Sequence, residues 1–196
     1  MKLFMKILVC VFALSVLFSM LPFQSICSQL EKDVLRLHIL ANSDTDFDQN
    51  IKLQVRDKVI EKVSYLYDNA RTKEDAKRIT NENLAYIEQT ANEELKQNNI
   101  PYKAKAEVKN IYFNTRYYDN FTMPAGYYDA LEITLGKGQG HNWWCVMYPS
   151  LCVGTATDSK MKEDLSKNEY NVVTAKDFTF RFKVVEYYEK LRSYLK

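Results

Sequence analysis

Hydrophobic and polar positions change their pattern several times along the chain. Residues 7–21 are almost entirely apolar, and a second, shorter apolar run, Val34–Leu40, ends at the polar segment 41–44. A short apolar run that is followed by turn-forming residues is typical of a buried β-strand. We therefore expect a strand at 34–40 that ends in a turn.

Helical spacing begins after this turn. Between residues 51 and 66 apolar side chains recur every third or fourth position, which predicts an amphipathic helix. Asp46, with Gln49 three residues later, is a candidate capping box for its start. Charged residues between the apolar positions, Lys52 and Arg56 among them, are expected to face water.

Further periodic segments complete the pattern. Helical spacing from Thr72 to about Gln97 predicts a second helix with Thr72 as its N-cap. The period then changes to an alternation of apolar and polar residues, which favours strands. Helical spacing returns at the C-terminus. The expected elements are strands at 102–113, 127–135 and 143–148, a short helix at 161–165 and a last helix at 178–195.

The order strand, helix, helix, strands, helix indicates an α+β fold. We expect a mainly antiparallel sheet with the helices packed on one face. A length of 196 residues with 46% hydrophobic residues is enough for one sizeable core. The region 28–196 is therefore predicted to form a single domain.

Charge excludes one class of function. The chain has 27 Lys and Arg against 25 Asp and Glu, and two of the basic residues, Lys2 and Lys6, lie in the apolar leader. The rest of the chain then has no formal net charge. Nucleic-acid binding needs an excess of cations, so we do not expect it.

The N-terminus has the pattern of a secretory signal peptide. Lys2 and Lys6 precede the apolar run 7–21, which ends at Pro22. The segment Ser25–Cys27 offers a candidate cleavage junction, so residues 1–27 are predicted to be a signal peptide. An uncleaved anchor is the alternative, although the run is shorter than the roughly 20 residues that span a bilayer.

Export affects the interpretation of the cysteines. Cys10 and Cys27 belong to the leader, which leaves Cys145 and Cys152 as the remaining pair. An even number of cysteines in an oxidising compartment favours a disulfide. The short separation closes a small loop, for which the chain-entropy contribution is roughly 2–3 kcal/mol.

Two enzymatic hypotheses involve the two histidines. His141 precedes Cys145 by four residues, which is compatible with a thiol hydrolase, but along a strand those residues lie about 13 Å apart. A metal site would use His38, Asp44, Asp46 and His141 if their loops meet, yet no short-range ligand spacing supports it. Asp44 and Asp46 would otherwise stabilise a helix start.

Trp143 and Trp144 are the only tryptophans, and in a strand their rings point to opposite faces. The aromatic residues around them either widen a core or form a protein-binding surface, and both interpretations stay open. The glycine-rich segment 136–140 lacks the Gly-Lys-Ser/Thr ending of a phosphate-binding loop. A hairpin or interface loop is the favoured interpretation.

Two groups of segments form motifs that go beyond the periodic patterns. The first motif comprises Arg36–Asp44, Asp48–Gln49 and Lys52–Asp57, and the second comprises Pro124–Gly126, Gly138–Val146 and Pro149–Cys152. Together they resemble the stage II sporulation protein R family of endospore-forming bacteria. The leader, the order of elements and the length also match that family.

The resemblance implies a signalling protein and not an enzyme, with no cofactor or metal. Such a protein is exported from the forespore into the space between the forespore and mother-cell membranes. There it is required to activate a membrane-embedded aspartic protease of the mother cell, which processes a sigma-factor precursor. A secreted hydrolase that uses His141 with Cys145 or a metal is the alternative. Candidate interface residues are His38, Asn42, Ser43, Asp44, His141, Asn142, Trp143 and Trp144.

Overall fold

The computed structural model describes residues 2–118, 120–149, 165–175 and 179–194. The described helices are α1 (Lys2–Asp33), α2 (Asp46–Val63), a 3-10 turn (Ser64–Tyr67), α3 (Lys73–Glu82), α4 (Leu84–Gln97), α5 (Lys167–Thr174) and α6 (Thr179–Tyr194). The described strands are β1 (Leu35–Leu40), β2 (Ala104–Phe113), β3 (Arg116–Tyr117), β4 (Thr122–Met123), β5 (Gly126–Leu135) and β6 (Asn142–Tyr148).

The predicted long second helix is two helices. Thr72 is the N-cap, as predicted, and its hydroxyl accepts a hydrogen bond from the Asp75 amide at 3.1 Å. The helix is interrupted at Asn83, whose φ of −113° and ψ of 11° are not helical. The Asn83 side chain donates to the Ile79 carbonyl at 2.8 Å. Such local side-chain bonds compete with continuation of a helix, and they explain a break that the apolar period does not reveal.

Most of the remaining described elements agree with the sequence. The described short helix is Lys167–Thr174, whereas the predicted one at 161–165 falls largely outside the described residues. Two short strands, β3 and β4, pair with each other and were not expected. They are only two residues long, so they carry no periodic signal.

The α+β class is confirmed, and the sheet is mixed and mostly antiparallel, with strand order β2-β5-β1-β6. β1 is antiparallel to β6 but parallel to β5. The parallel pair in the centre was not predicted. Between β1 and β5 the chain passes through α2, α3, α4, β2, β3 and β4, and a connection of that length permits parallel alignment.

Alternate residues of β1 anchor the core. Leu35, Leu37 and Ile39 are fully buried and belong to one cluster with apolar residues of α2, α4 and β5. Each such side chain contributes roughly 1.5–3 kcal/mol through removal from water. The helix members include Ile51, Val55, Val59 and Val63 of α2 and Ile87, Ala91 and Leu95 of α4.

The chain divides into two compact units. One comprises Met1–Leu30, Phe113–Gly126 and Lys167–Lys196, and the other comprises Glu31–Tyr112 and Tyr127–Ser166. The second unit contains the four-stranded sheet, apart from its outermost residues, and helices α2 to α4. Among the described residues, no helix combines the length and apolar character that crossing a membrane requires.

Candidate functional site

Sheet topology brings the two sequence motifs together. β1 and β5 are parallel, so both end at the same edge of the sheet, and the antiparallel β6 begins there. The loop from β1 to α2 and the loop from β5 to β6 therefore lie side by side. We call residues 41–49 and 136–141 the motif junction.

Backbone groups of the glycine-rich loop bind the first motif. The amide of Lys137 donates to Asn42 Oδ1 at 3.0 Å, and the amide of Gln139 donates to the Asn42 carbonyl at 3.3 Å. The amide of Gly140 donates to the Ala41 carbonyl at 2.9 Å. Because these amides already have partners, the loop does not form a phosphate cradle. Its backbone amides instead connect the two motifs by hydrogen bonds.

Gly140 is required by the close approach of the two loops. A Cβ atom added at this position would lie 2.1 Å from the carbonyl oxygen of Ser43 and 2.9 Å from Cβ of Ala41. The first of these contacts is with backbone, which cannot move aside as a flexible side chain can. Glycine is therefore the residue that allows the junction to close.

Asp48 accepts three side-chain hydrogen bonds at the motif junction. It is 5% exposed, and its Oδ2 accepts hydrogen bonds from Asn42 Nδ2 at 2.8 Å and Ser43 Oγ at 2.5 Å. Its Oδ1 accepts from the Tyr102 hydroxyl at 2.7 Å. Burial alone would raise the pKa of Asp48, but the hydrogen bonds from Ser43, Tyr102 and Asn42 outweigh it and leave the pKa below its usual value. Burial and the neighbouring carboxylate raise the pKa of Tyr102.

The predicted cap of α2 is wrong. Thr45 is the N-cap, and its hydroxyl accepts a hydrogen bond from the Asp48 amide at 3.3 Å. Asp46 is the first helical residue and does not cap. Gln49 uses its amide nitrogen to donate to the Ser43 carbonyl at 3.0 Å, so it holds the loop and not the helix start. Asp44 does not cap α2 either, because its Oδ1 accepts a hydrogen bond from the backbone amide of His141 in the other loop.

Lys52 does not face water, contrary to the prediction, because it is only 4% exposed. Its Nζ donates to Gln49 Oε1 at 2.6 Å and to the carbonyl of His141 at 2.9 Å. Burial lowers the pKa of Lys52, and the nearby Arg56 acts in the same direction. Arg56 was also expected to face water, yet its guanidinium lies over the Trp143 ring, 4.2 Å from the centroid.

His141 and Asp44 form the exposed part of the junction. The side chains are 80% and 56% exposed, and both the backbone amide and Nδ1 of His141 bond to Asp44 Oδ1. The imidazole and a carboxylate of the metal hypothesis thus do meet. No group of three or more metal-ligating side chains is found in the described part of the chain.

His38 lies in a different environment. It is 5% exposed, and its Nδ1 is 3.0 Å from Glu132 Oε2. Lys109 donates to the other oxygen of Glu132 at 2.8 Å. The imidazole stacks on Trp144, with 4.1 Å between the ring centroids. His38 therefore belongs to a buried polar cluster of the sheet and does not extend to the exposed edge.

The two tryptophans point to opposite faces of β6, as strand alternation predicts. Trp143 packs beside the helix-facing core, and Trp144 stacks on His38. Both are half-buried. Cys145 is 8% exposed and lies opposite Leu37 in the ladder, within the core cluster. Cys152 lies outside the described residues, so the disulfide stays a prediction.

Three residues in or beside the motif junction have roles that were not predicted. Tyr102, which donates to Asp48, was placed in a strand, and Lys52 was expected to face water. Gly140 was placed in a hairpin or interface loop, without the close approach that requires a glycine. A usable signal existed for Lys52, because Asp48 and Lys52 continue the stripe of Val55 and Val59 at intervals of three or four. Paired opposite charges on a buried stripe indicate a polar cluster. The contact of Tyr102 with Asp48 spans 54 positions and has no local signal.

The fold and the junction define an α+β protein with a preassembled loop surface at one sheet edge. A family model described as Stage II sporulation protein R (spore_II_R) matches residues 31–158, which include both loops. The chain belongs to this family, as the resemblance predicted.

A curated relative supports the assignment. The chain is 36% identical over 140 residues to Stage II sporulation protein R of Bacillus subtilis (strain 168). The match covers 69% of this chain and 62% of the relative, so the chain spans less than two thirds of the relative's length. No solved structure matches the chain.

Proposed function

We propose that this chain is an exported signalling protein of endospore formation that activates a membrane-embedded aspartic protease. The protease would then process a sigma-factor precursor. The proposal follows from family membership together with one structural observation, the convergence of both family motifs in the motif junction. Segments separated by about 90 residues are bonded to each other there, and beneath the exposed residues lie the buried Asp48 and Lys52.

The exposed members of the junction are the proposed contact surface for the protease. Asp44, His141 and the adjacent Asn142 are exposed, whereas Asp48 and Lys52 beneath them are buried. A surface that is rigid before binding loses little conformational entropy in the complex. Asn42 and Ser43 then act by holding this surface in shape.

The hydrolase alternative has less support. Cys145 is buried in the core cluster and is separated from the exposed His141 by a strand, about 13 Å at the usual rise per residue. A nucleophile and its base must lie within hydrogen-bond reach. Instead, His141 contacts Asp44 through its side chain and Lys52 through its backbone carbonyl. Both contacts join the two loops of the motif junction.

Co-expression of the chain with the protease and its sigma-factor substrate tests the proposal. Asn142→Ala and His141→Ala should reduce processing about tenfold, the loss expected when one contact worth roughly 1.4 kcal/mol is removed from an interface. Asn81→Ala, an exposed substitution on α3, is the matched control and should process normally.

Melting midpoints of all three variants should equal that of the wild type, which excludes a folding defect. Normal processing by both His141→Ala and Asn142→Ala would refute the proposed surface. Processing that is independent of the chain altogether would refute the proposed function.

A further inference from the structure

The second half of the predicted leader has buried side chains. Phe23 is 2% exposed and Cys27 is 0% exposed, and both belong to a core cluster with Val172, Phe182 and Val185. The first half of the same helix differs, since Leu3, Phe4, Ile7 and Leu8 are 53–72% exposed. Pro22 lies between the two halves. The leader thus consists of an exposed part and a packed part.

Specific contacts attach the packed part to the C-terminal helix. The rings of Phe23 and Phe182 meet edge to face, with 5.2 Å between centroids and 66° between planes. Gln24 Nε2 donates to Glu189 Oε1 at 3.3 Å, and Glu189 is fully buried. The Arg181 guanidinium lies 5.9 Å from the Phe23 ring centroid. Aromatic pairs of this geometry contribute beyond their buried area.

Removal of residues 1–27 would take away part of the core of the unit that contains the C-terminal helix α6. Phe182, Val185 and Val172 would lose Phe23 and Cys27, and the buried Glu189 would lose the amide of Gln24. Folding with this core therefore requires that Phe23 and Cys27 remain part of the chain.

We propose that the functional protein retains residues Met20–Leu30, and that any processing occurs before Met20. The candidate junction Ser25–Cys27 is then not the processing site. This inference rests on the export that is part of the proposed function, but it does not depend on the partner, because it concerns the N-terminus of the folded chain.

The N-terminus of the exported protein, determined by mass spectrometry on material purified from the producing cells, tests the proposal directly. The expected first residue is Met20 or any residue before it. A first residue at Leu21 or later, as for cleavage after Cys27, would overturn the proposal.

Thermal challenge of the exported protein in intact cells, followed by proteolysis, gives a second test. Phe23→Ala and Phe182→Ala should each lower the melting midpoint by roughly 10 °C, as expected for loss of a buried ring. The melting midpoint of the double variant should lie close to that of the less stable single variant, because both changes remove the same contact. Phe4→Ala, a control on the exposed half of α1, should not shift it.

A melting midpoint that falls for Phe182→Ala and stays unchanged for Phe23→Ala would mean that the leader segment is absent. An unchanged midpoint in both variants, or fully additive shifts in the double variant, would mean that the two rings do not pack. Each of these results would overturn the proposal.

Discussion

Replacement of Asp48 by Asn measures how much the Asp48 carboxylate stabilises the motif junction. The carboxylate accepts two bonds at Oδ2, from Asn42 and Ser43, and one at Oδ1, from Tyr102. An amide offers only one oxygen, so its best orientation keeps the Oδ2 partners and loses the Tyr102 donor. Hydrogen bonds to a charged group are worth roughly 1.5–3 kcal/mol, about twice the neutral value. One lost bond and two bonds weakened by about half predict destabilisation by at least about 3 kcal/mol.

Asp46→Asn is the matched control for this substitution. Asp46 lies in the same first turn of α2, but it is exposed. Loss of its charge removes only a favourable interaction with the helix dipole, worth at most about 1 kcal/mol. The two variants change net charge equally, so a difference between them reports the buried hydrogen bonds.

The pH dependence of stability provides an independent check. Because the pKa of Asp48 is lowered in the folded protein, its charged form contributes stability above the unfolded pKa, near 4, and that contribution is lost as pH falls through the folded pKa. Chemical denaturation at pH 7 should show the full difference between wild type and Asp48→Asn. The difference should narrow below about pH 4. Equal stability of Asp48→Asn and Asp46→Asn at pH 7 would show that the hydrogen bonds of Asp48 do not stabilise the motif junction.

Two other predictions concern the second motif. Gly140→Ala should destabilise the protein by roughly 1–3 kcal/mol in chemical denaturation, because its Cβ would lie 2.1 Å from a backbone carbonyl oxygen across the motif junction. Unchanged stability would show that the two loops are not in close contact. Thiol labelling should modify Cys145 and Cys152 only after reduction under denaturing conditions, and Cys145→Ser and Cys152→Ser should be equally defective in signalling. A defect confined to Cys145→Ser would instead support a thiol enzyme.

Local patterns in the sequence were sufficient for most elements of the fold. Alternation located β2 and β5 to within about two residues, and the apolar stripe of α2 matched its buried face. The parallel pairing of β1 with β5 was not predictable in this way, because it joins residues about 94 positions apart and depends on the whole crossover. A short-range period carries no information about which distant strand becomes the neighbour.

The candidate site was predicted in part for the same reason. The resemblance identified both motifs, and the residues Asn42, Ser43, Asp44 and His141 do meet at one sheet edge. Their roles were not predictable, since a polar residue in a loop has the same sequence signal whether it caps a helix or bonds a second loop. His38 illustrates the opposite case, because its position in the motif did not reveal that the strand buries it.

Site-specific photocrosslinking tests the central claim that the motif junction contacts the protease. A photoreactive amino acid would replace His141, which is exposed in the junction, or Tyr65, which is 58% exposed outside it. In cells that express the protease, we expect a covalent adduct with the protease from position 141 and none from position 65. Adducts of equal yield from both positions, or an adduct from position 65 alone, would contradict it.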